Sequence, residues 1–398
     1  MVEVAQIVDR SKSGLQLLMM KTLGAILHPA YRLAYSARRK KLLARRKPID
    51  EIKVIAVGNI SLGGAGKTPV TSTLWKLLLS KGYRGGVVVK LGRAKEAFLD
   101  EFVMYLVELA RIAGMEKLRV MAEEDFLAVF SDEGFIAGAK NKIHALEKAK
   151  RLSHYDFALI DDAYQLFSLK PDLNICLVRR EEFSYKTFPS GLLREEISAT
   201  ERADIVLVRS ETLDTEKANE IEEILRNASL HNFCLKPAGI FSVKELLRPF
   251  LQENGLESEA EAELPTGSAL VFSGISGSAE FEEFTKLMHL DVPIAYRFGD
   301  HHQYSLQELK ELLWVARTRG CSFFITTEKD ASRLIPHYLK GKFASGEHTK
   351  FPEALYPRTV VATPEFTLEL EKLFDKLYYL KVFTQIPQEV VSRVESIF

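Results

Sequence analysis

Cysteine is scarce in this chain. Cys176, Cys234 and Cys321 are the only three, they are far apart, and their odd number gives no paired spacing. A disulfide framework and a cysteine zinc site are both excluded on that count. Free thiols in a reducing compartment remain. Net charge is also missing: 54 basic residues balance 54 acidic ones, so no global field favours nucleic acid, and none is expected as a partner. No segment has the ~18 uninterrupted apolar residues of a membrane span. The stretch Leu15–Tyr35 is broken by Lys21, His28, Pro29 and Arg32, and no small-residue cleavage pattern follows, so it does not read as a secretory signal. Internal repeats and low-complexity tracts are absent, and nothing points to an obligate protein partner.

What is present is ordinary globular composition, 46% hydrophobic and 27% charged, in a chain long enough at 398 residues for two or three domains. One local imbalance stands out. Through Lys47 the only acids are Glu3 and Asp9, against a basic series that includes Arg32, Arg38, Arg39, Lys40, Lys41, Arg45, Arg46 and Lys47. Leu15, Leu17, Leu18, Met19, Leu23, Ile26 and Leu27 form an apolar helical face just before it. A helix lying in the headgroups of an anionic membrane has this pattern, and so has a helix packed on the core with a solvated basic end.

Residues 61–68 read Ser-Leu-Gly-Gly-Ala-Gly-Lys-Thr, after the apolar run Ile52–Val57 and before the helical stretch Pro69–Lys81. A strand, a glycine turn, Lys-Thr and a helix start are the parts of a phosphate-binding P-loop. Backbone N–H groups of Ser61, Leu62, Gly63, Gly64, Ala65 and Gly66 would face phosphate, Lys67 would reach the β/γ oxygens, and the Thr68 hydroxyl would sit on Mg²⁺. The strict motif has Gly where this chain has Ser61.

The remaining sequence alternates apolar β-type runs with helical ones. Strands are expected at Ile52–Val57, Gly86–Lys90, Leu118–Met121, Tyr155–Ile160, Asn174–Val178 and Ala203–Val208, and helices at Val70–Leu79, Phe102–Ala113, Glu123–Phe130, Lys140–Arg151 and Thr215–Asn227. Alternation of this kind implies a mostly parallel sheet covered on both faces. Phe233–Val243 reads as an extended connector. A second α/β series follows, with strands near Ala269–Ile275, Ile294–Phe298, Phe323–Thr327 and Thr359–Ala362, helices at Ala279–Leu287 and Leu306–Arg319, and a helical tail from Phe366. The expected organisation is an N-terminal amphipathic and basic segment (1–48), a P-loop core (49–235), a smaller C-terminal α/β domain (236–365) and a helical tail (366–398).

Acidic pairs and histidines supply the candidate chemistry. Asp161-Asp162 ends a buried strand, where P-loop enzymes hold Mg²⁺ through a carboxylate and where Asp can equally cap a helix. Asp100-Glu101 opens an apolar helix and taken alone reads as a cap. Asp300-His301-His302 is either a general-base cluster or a surface turn before the next helix.

In this order the motifs resemble those of the tetraacyldisaccharide 4'-kinases, the lipid A 4'-kinase family. The resemblance rests on Val57–Pro69, Phe188–Glu195, Arg202-Ala203-Asp204, Phe272–Ile275, Asp300-His301-His302 and Thr327-Glu328-Lys329-Asp330, and runs from about Leu15 to Leu334. Ser61 agrees with it, since that family also has Thr or Ser at the first position of the loop. It implies an α/β P-loop fold with a second, smaller α/β domain and an N-terminal membrane-associated helix. It implies ATP and Mg²⁺ as cofactors, an acylated glucosamine disaccharide as acceptor, and the cytoplasmic face of the inner membrane, with its anionic surface, as the place of work. By resemblance Asp100 takes the proton of the 4'-hydroxyl with His301 orienting it. Thr68, Asp161, Asp162, Glu101 and Gln165 organise the metal, and Arg194, Glu195 and His302 contact the acceptor. The departures are local: Leu166 stands where the family has His after Asp-Asp-Gly-Phe-Gln, Lys90-Leu91-Gly92-Arg93 replaces a Ser-Arg-Gly-Tyr-Gly loop, and Phe102 stands where a Pro follows the Asp-Glu pair. They leave room for a kinase of the same fold with another acceptor; a non-catalytic, membrane-attached nucleotide-binding protein is the other alternative.

Overall fold

The computed structural model describes residues 6–9, 29, 32–91, 99–188, 190–209, 229–251, 261–342, 351–352, 356 and 363–398. The apolar face Leu15–Leu27, the helix expected at Thr215–Asn227, Gly92-Arg93 and the strand expected at Thr359–Ala362 lie outside them.

The expected strand after the basic segment forms β2 (Lys53–Asn59), preceded by the short β1 (Ile7–Asp9). Its Val-Ile-Ala-Val run is buried throughout, as a β-branched strand covered on both faces should be. The P-loop follows and leads into α2 (Lys67–Ser80). Then come β3 (Gly85–Lys90), α3 (Leu99–Ala113), β4 (Arg119–Ala122), β5 (Phe126–Phe130), β6 (Phe135–Ala139), α4 (Lys142–Ala149), β7 (Phe157–Ile160), β8 (Leu173–Arg179) and β9 (Ile205–Arg209). The helix expected at Glu123–Phe130 is therefore wrong. Phe126–Phe130 is a fully buried strand, paired antiparallel with both β4 and β6.

Phe233–Val243 is more than a connector. It belongs to the long β10 (Ser229–Ser242), which pairs parallel with β9 over Ser229–Phe233 and antiparallel with β14 (Leu377–Gln385) from Cys234 onward. One strand so joins the two halves. The later half contains α5 (Val243–Leu247), β11 (Ser268–Ser273), α6 (Ser278–Leu287), β12 (Ile294–Arg297), α7 (Leu306–Thr318), β13 (Cys321–Thr327), α8 (Glu328–Lys342), α9 (Pro364–Phe374) and α10 (Gln388–Glu395). The tail expected as one helix is split, because Leu377 starts β14 rather than extending α9.

The described strands make one sheet in the order β1-β12-β11-β13-β14-β10-β9-β8-β2-β7-β3-β6-β5-β4. All neighbours are parallel except β4/β5, β5/β6 and β10/β14. Within each half the parallel strands put their carboxyl ends on one side, where open α/β sheets bind ligands, and the antiparallel β10/β14 pair turns the two halves in opposite directions. β2 lies between β7 and β8, so the P-loop and Asp161-Asp162 emerge side by side. A described helix spans 32–43 (α1), and the chain leaving it docks through Lys47 N–H to Ser168 O and Arg46 Nε to Leu169 O. Among the described residues no helix is long and apolar enough to cross a membrane.

Candidate active site

Gly63 and Gly66 adopt φ of 119° and 88°, left-handed values that glycine tolerates and other residues resist. Gly66 is the N-cap of α2 and brings no capping side chain, so the first N–H groups of the helix stay available to an anion. Ser61, in the position of a motif glycine, is buried and faces away from that anion site. Its hydroxyl accepts from Asn59 Nδ2 at 2.9 Å and donates to Glu182 Oε1 at 2.6 Å, tying the loop to the 180s segment. The Leu62 N–H is likewise held by Leu192 O at 2.7 Å.

Lys67 donates to Asn59 Oδ1 at 3.1 Å and lies 3.4 Å from Asp162 Oδ1. Thr68 Oγ1 donates to Asp161 Oδ2 at 3.0 Å, and Tyr105 OH donates to the same oxygen at 3.0 Å. The other oxygen, Asp161 Oδ1, is buried without a hydrogen-bond partner. Burial, reinforced by Glu101 nearby and only partly offset by Lys142 and Lys67, pushes the Asp161 carboxyl up to about 6. Asp162 goes the other way. Burial raises it, but Lys67, Lys142 and Arg194 together hold it well below the usual carboxylate range.

A buried carboxylate with an orphaned oxygen, one residue's reach from a Thr hydroxyl, suits a divalent cation that keeps water and phosphate as its other ligands. Among the described residues no group of three or more His, Cys, Asp or Glu could hold a metal unaided. The other expected ligands have protein partners. Glu101 accepts from Lys329 Nζ at 3.0 Å. Gln165 donates to Asn59 O at 2.8 Å and accepts from Arg194 Nη1 at 3.0 Å, and Arg194 is also 3.3 Å from Asp162 Oδ1.

Asp100 and His301, separated by 201 positions, meet: His301 Nδ1 is 3.1 Å from Asp100 Oδ2. Asp100 is in the first turn of α3, but its carboxylate is engaged by side chains of the second half rather than spent on capping. Lys329 Nζ lies 3.4 Å from His301 Nε2. An ammonium can only donate, so Nε2 accepts and Nδ1 carries the proton given to Asp100. Burial raises the Asp100 carboxyl, and Lys329, the His301 hydrogen bond and Arg333 outweigh it, leaving the group far below its ordinary range.

His302 and Glu195 stand apart from this pair. His302 Nε2 is 3.0 Å from Glu308 Oε1, and its ring stacks on Phe298 at 4.6 Å, bracing the Ser305–Glu308 capping box of α7. Glu195 is buried and bonded by Arg202 Nη2 at 2.8 Å and Gln165 Nε2 at 3.2 Å. Neither borders the cleft of about 740 Å³ whose lining includes 63–68, Glu101, Asp162, Arg194, His301 and Lys329. Leu166 packs into the apolar cluster of Val54, Ala56 and Ile160, also away from that cleft. From the second half Ile275, Ser276 and Gly277 close over the P-loop, and Arg209 donates to Gly64 O at 3.3 Å while pairing with Glu280.

The family model described as LpxK, tetraacyldisaccharide-1-P 4'-kinase, matches residues 18–356. The chain belongs to that family. It is 32% identical over 329 residues to the tetraacyldisaccharide 4'-kinase of Chlorobium luteolum, covering 79% of this chain and 88% of that protein. It is 30% identical over 292 residues to the tetraacyldisaccharide 4'-kinase of Chlorobium phaeovibrioides, covering 71% and 77%. Among solved structures, LpxK from Aquifex aeolicus in complex with ATP has the same fold at a TM-score of 0.57 and 16% identity, covering 94% of this chain and 99% of that one.

In this kinase-family chain several site residues escape sequence reasoning. Lys142, at the start of α4, is buried and donates to the backbone carbonyls of Asp161 and Asp162, and burial lowers its pKa against the pull of both carboxylates. It braces a turn in which Asp162 takes φ of 50°. Tyr105 bonds Asp161, Lys329 bonds Glu101, and Arg333 bonds Asp100. Only Lys329 sits in a motif, Thr-Glu-Lys-Asp, that could have drawn attention to it.

Proposed function

We propose that this chain transfers the γ-phosphoryl group of ATP to the 4'-hydroxyl of a tetraacylated glucosamine disaccharide 1-phosphate, a step of lipid A biosynthesis. The observation that carries the reading is that the P-loop of the first half and His301 of the second border one cleft, with His301 held there by the buried Asp100 at 3.1 Å. In phosphoryl transfer the protein's part is mainly positioning and neutralisation of charge.

Residues 63–68 and the start of α2 hold the triphosphate, with Lys67 on its terminal oxygens and Ser61 and Leu62 anchoring the loop from behind. Thr68 and Asp161, supported by Asp162, Glu101 and Gln165, would hold Mg²⁺, which when bound neutralises phosphate charge. The acceptor oxygen forms its bond to the γ-phosphorus as the bond to ADP breaks. Its proton passes to the Asp100–His301 pair, with Asp100 taking it and His301, 3.1 Å away, orienting it. Arg194, which borders the cleft, is the nearest candidate for the acceptor's polar groups, with Glu195 and His302 behind the wall.

The chain works as lobes 49–235 and 236–365 meeting at the cleft, with 366–398 adding β14 to the second lobe's strands and packing its last helix on the first lobe at Lys81 and Tyr83, and with 1–48 serving attachment to the cytoplasmic face of the inner membrane. Arg38, Lys40, Lys41 and Arg45 are exposed on and after α1, which supports contact with anionic lipid. Mass spectrometry of the disaccharide lipid after incubation with ATP should show one added phosphate. Lys67→Ala should lower that product by at least about 10³-fold with the fold retained, since it removes the charge on the transferring group. Near-normal turnover in a folded Lys67→Ala protein would remove the P-loop reading.

A further inference from the structure

Asp100 comes from α3 and His301 from the loop before α7, so something must keep them in register. Arg333, on α8, touches the support of both. Its Nη2 donates to Asp100 Oδ2 at 2.6 Å. Its Nη1 donates to Asp330 Oδ1 at 2.5 Å and reaches Gly274 O at 3.5 Å. Asp330 in turn accepts from the Gly274 N–H at 2.9 Å, from Thr327 Oγ1 at 2.7 Å and from Tyr304 OH at 3.0 Å. Gly274 O also accepts the backbone N–H of His301 at 3.1 Å, at a residue whose φ is 55°. One guanidinium thus grips the carboxylate of the pair and the turn that carries the imidazole. The space is tight: a Cβ on Gly274 would lie 2.9 Å from Asp330 Oδ1 and 3.0 Å from Arg333 Nη1.

We propose that Arg333 is the positioning residue of this kinase, fixing Asp100 against His301 across the two halves of the chain through its fork to Asp100 and Asp330. The inference rests on the Asp100–His301 pair acting on the acceptor. The fork is the reason for arginine. It is planar, donates in two directions at once and cannot lose its proton, whereas a lysine ammonium would satisfy one carboxylate and release the other. Arg333 is buried and does not border the cleft, so it acts through Asp100 and not on substrate.

The test uses the full chain with ATP and the disaccharide 1-phosphate lipid, and the variants Arg333→Lys, Arg333→Gln, Asp100→Asn and Arg333→Lys/Asp100→Asn. Both Arg333 variants should bind ATP as the parent does. Both should lose about 10²-fold in kcat with KM for either substrate moved only a few-fold, because a reacting group is misplaced and ground-state binding is spared. In the Asp100→Asn background Arg333→Lys should cost little more. Full kcat in either Arg333 variant, with Asp100→Asn impaired, overturns the positioning role alone. Full kcat in Asp100→Asn overturns the reading of the pair itself. Loss of ATP binding in both Arg333 variants, or an undiminished loss in the double variant, makes Arg333 a prop of the fold and overturns the proposal.

Discussion

Asp100 illustrates how a residue's chemistry depends on partners that its own neighbourhood in sequence does not show. In sequence it is the first acid of a helix and reads as a cap. In the fold it is buried among Arg333, Lys329 and His301, which keep it ionised. Asp100 and His301 share one hydrogen bond across the two halves, so the two should behave as one unit. His301→Ala and Asp100→Ala should each lower kcat by about 10²–10⁴-fold while ATP affinity holds, and the double variant should be little worse than the worse single. Steady-state kinetics with calorimetric ATP titration decides it, and fully additive losses would assign the two residues to separate tasks. The meeting of Lys67 and Thr68 with the acidic pair was legible from sequence, because one pattern is a contiguous strand–loop–helix and the other ends a neighbouring strand. Arg333 and Lys142 were not, since the bond from Arg333 to Asp100 spans 233 positions and that from Lys142 to Asp161 spans 19, and no local pattern encodes either.

Between residue and molecule, the elements were legible where hydrophobic period and length agreed. β2, β3, β7, β8 and β9 are short apolar runs and emerge close to where the sequence puts them. Glu123–Phe130 failed because Phe-Leu-Ala-Val-Phe carries no alternation, and a strand buried on both faces cannot be told from a short buried helix by period alone. β14 was hidden in the tail for a similar reason. Its placement matters because it gives the first half a contact with the second. Glu108, on α3, is reached by Lys76 of α2 at 2.8 Å and by Lys381 of β14 at 3.4 Å. Burial raises the Glu108 carboxyl, and Lys76 with Lys381 and Arg111 outweighs it, leaving the group below its ordinary 4.5. A depressed acid stabilises the fold above its unfolded pKa and loses that contribution as pH falls through its folded value. Glu108→Gln should therefore cost about 2 kcal/mol at pH 7, and the difference from the parent should shrink as pH falls below 4.5. Urea unfolding across that range reads both; a difference independent of pH would mean that packing, not charge, is what Glu108 supplies.

At the scale of the molecule, a chain of zero net charge keeps one strongly basic region, and it keeps it next to the site. Arg39 lies 3.8 Å from Glu195 and Arg32 pairs with Glu196, so α1 rests on the segment that carries Arg194. The docked side spends some cations on the protein, while Arg38, Lys40, Lys41 and Arg45 remain exposed. A water-soluble acceptor would need no such arrangement, whereas an acceptor held in a bilayer must be met at its headgroup. Each basic residue near an anionic surface contributes about 1 kcal/mol, screened within a Debye length. Changing these four residues to Gln should then weaken binding to anionic vesicles by roughly 10²- to 10³-fold at low salt and flatten its salt dependence. ATP binding should be untouched, because none of the four borders the cleft. Activity on vesicle-borne acceptor should fall, and activity on the same acceptor in neutral detergent micelles should be spared. Co-sedimentation across a salt series, run beside the two activity assays, separates the outcomes. Parent-level binding to anionic vesicles in the fourfold variant would place the attachment elsewhere in the chain and leave the basic helix a solvated face.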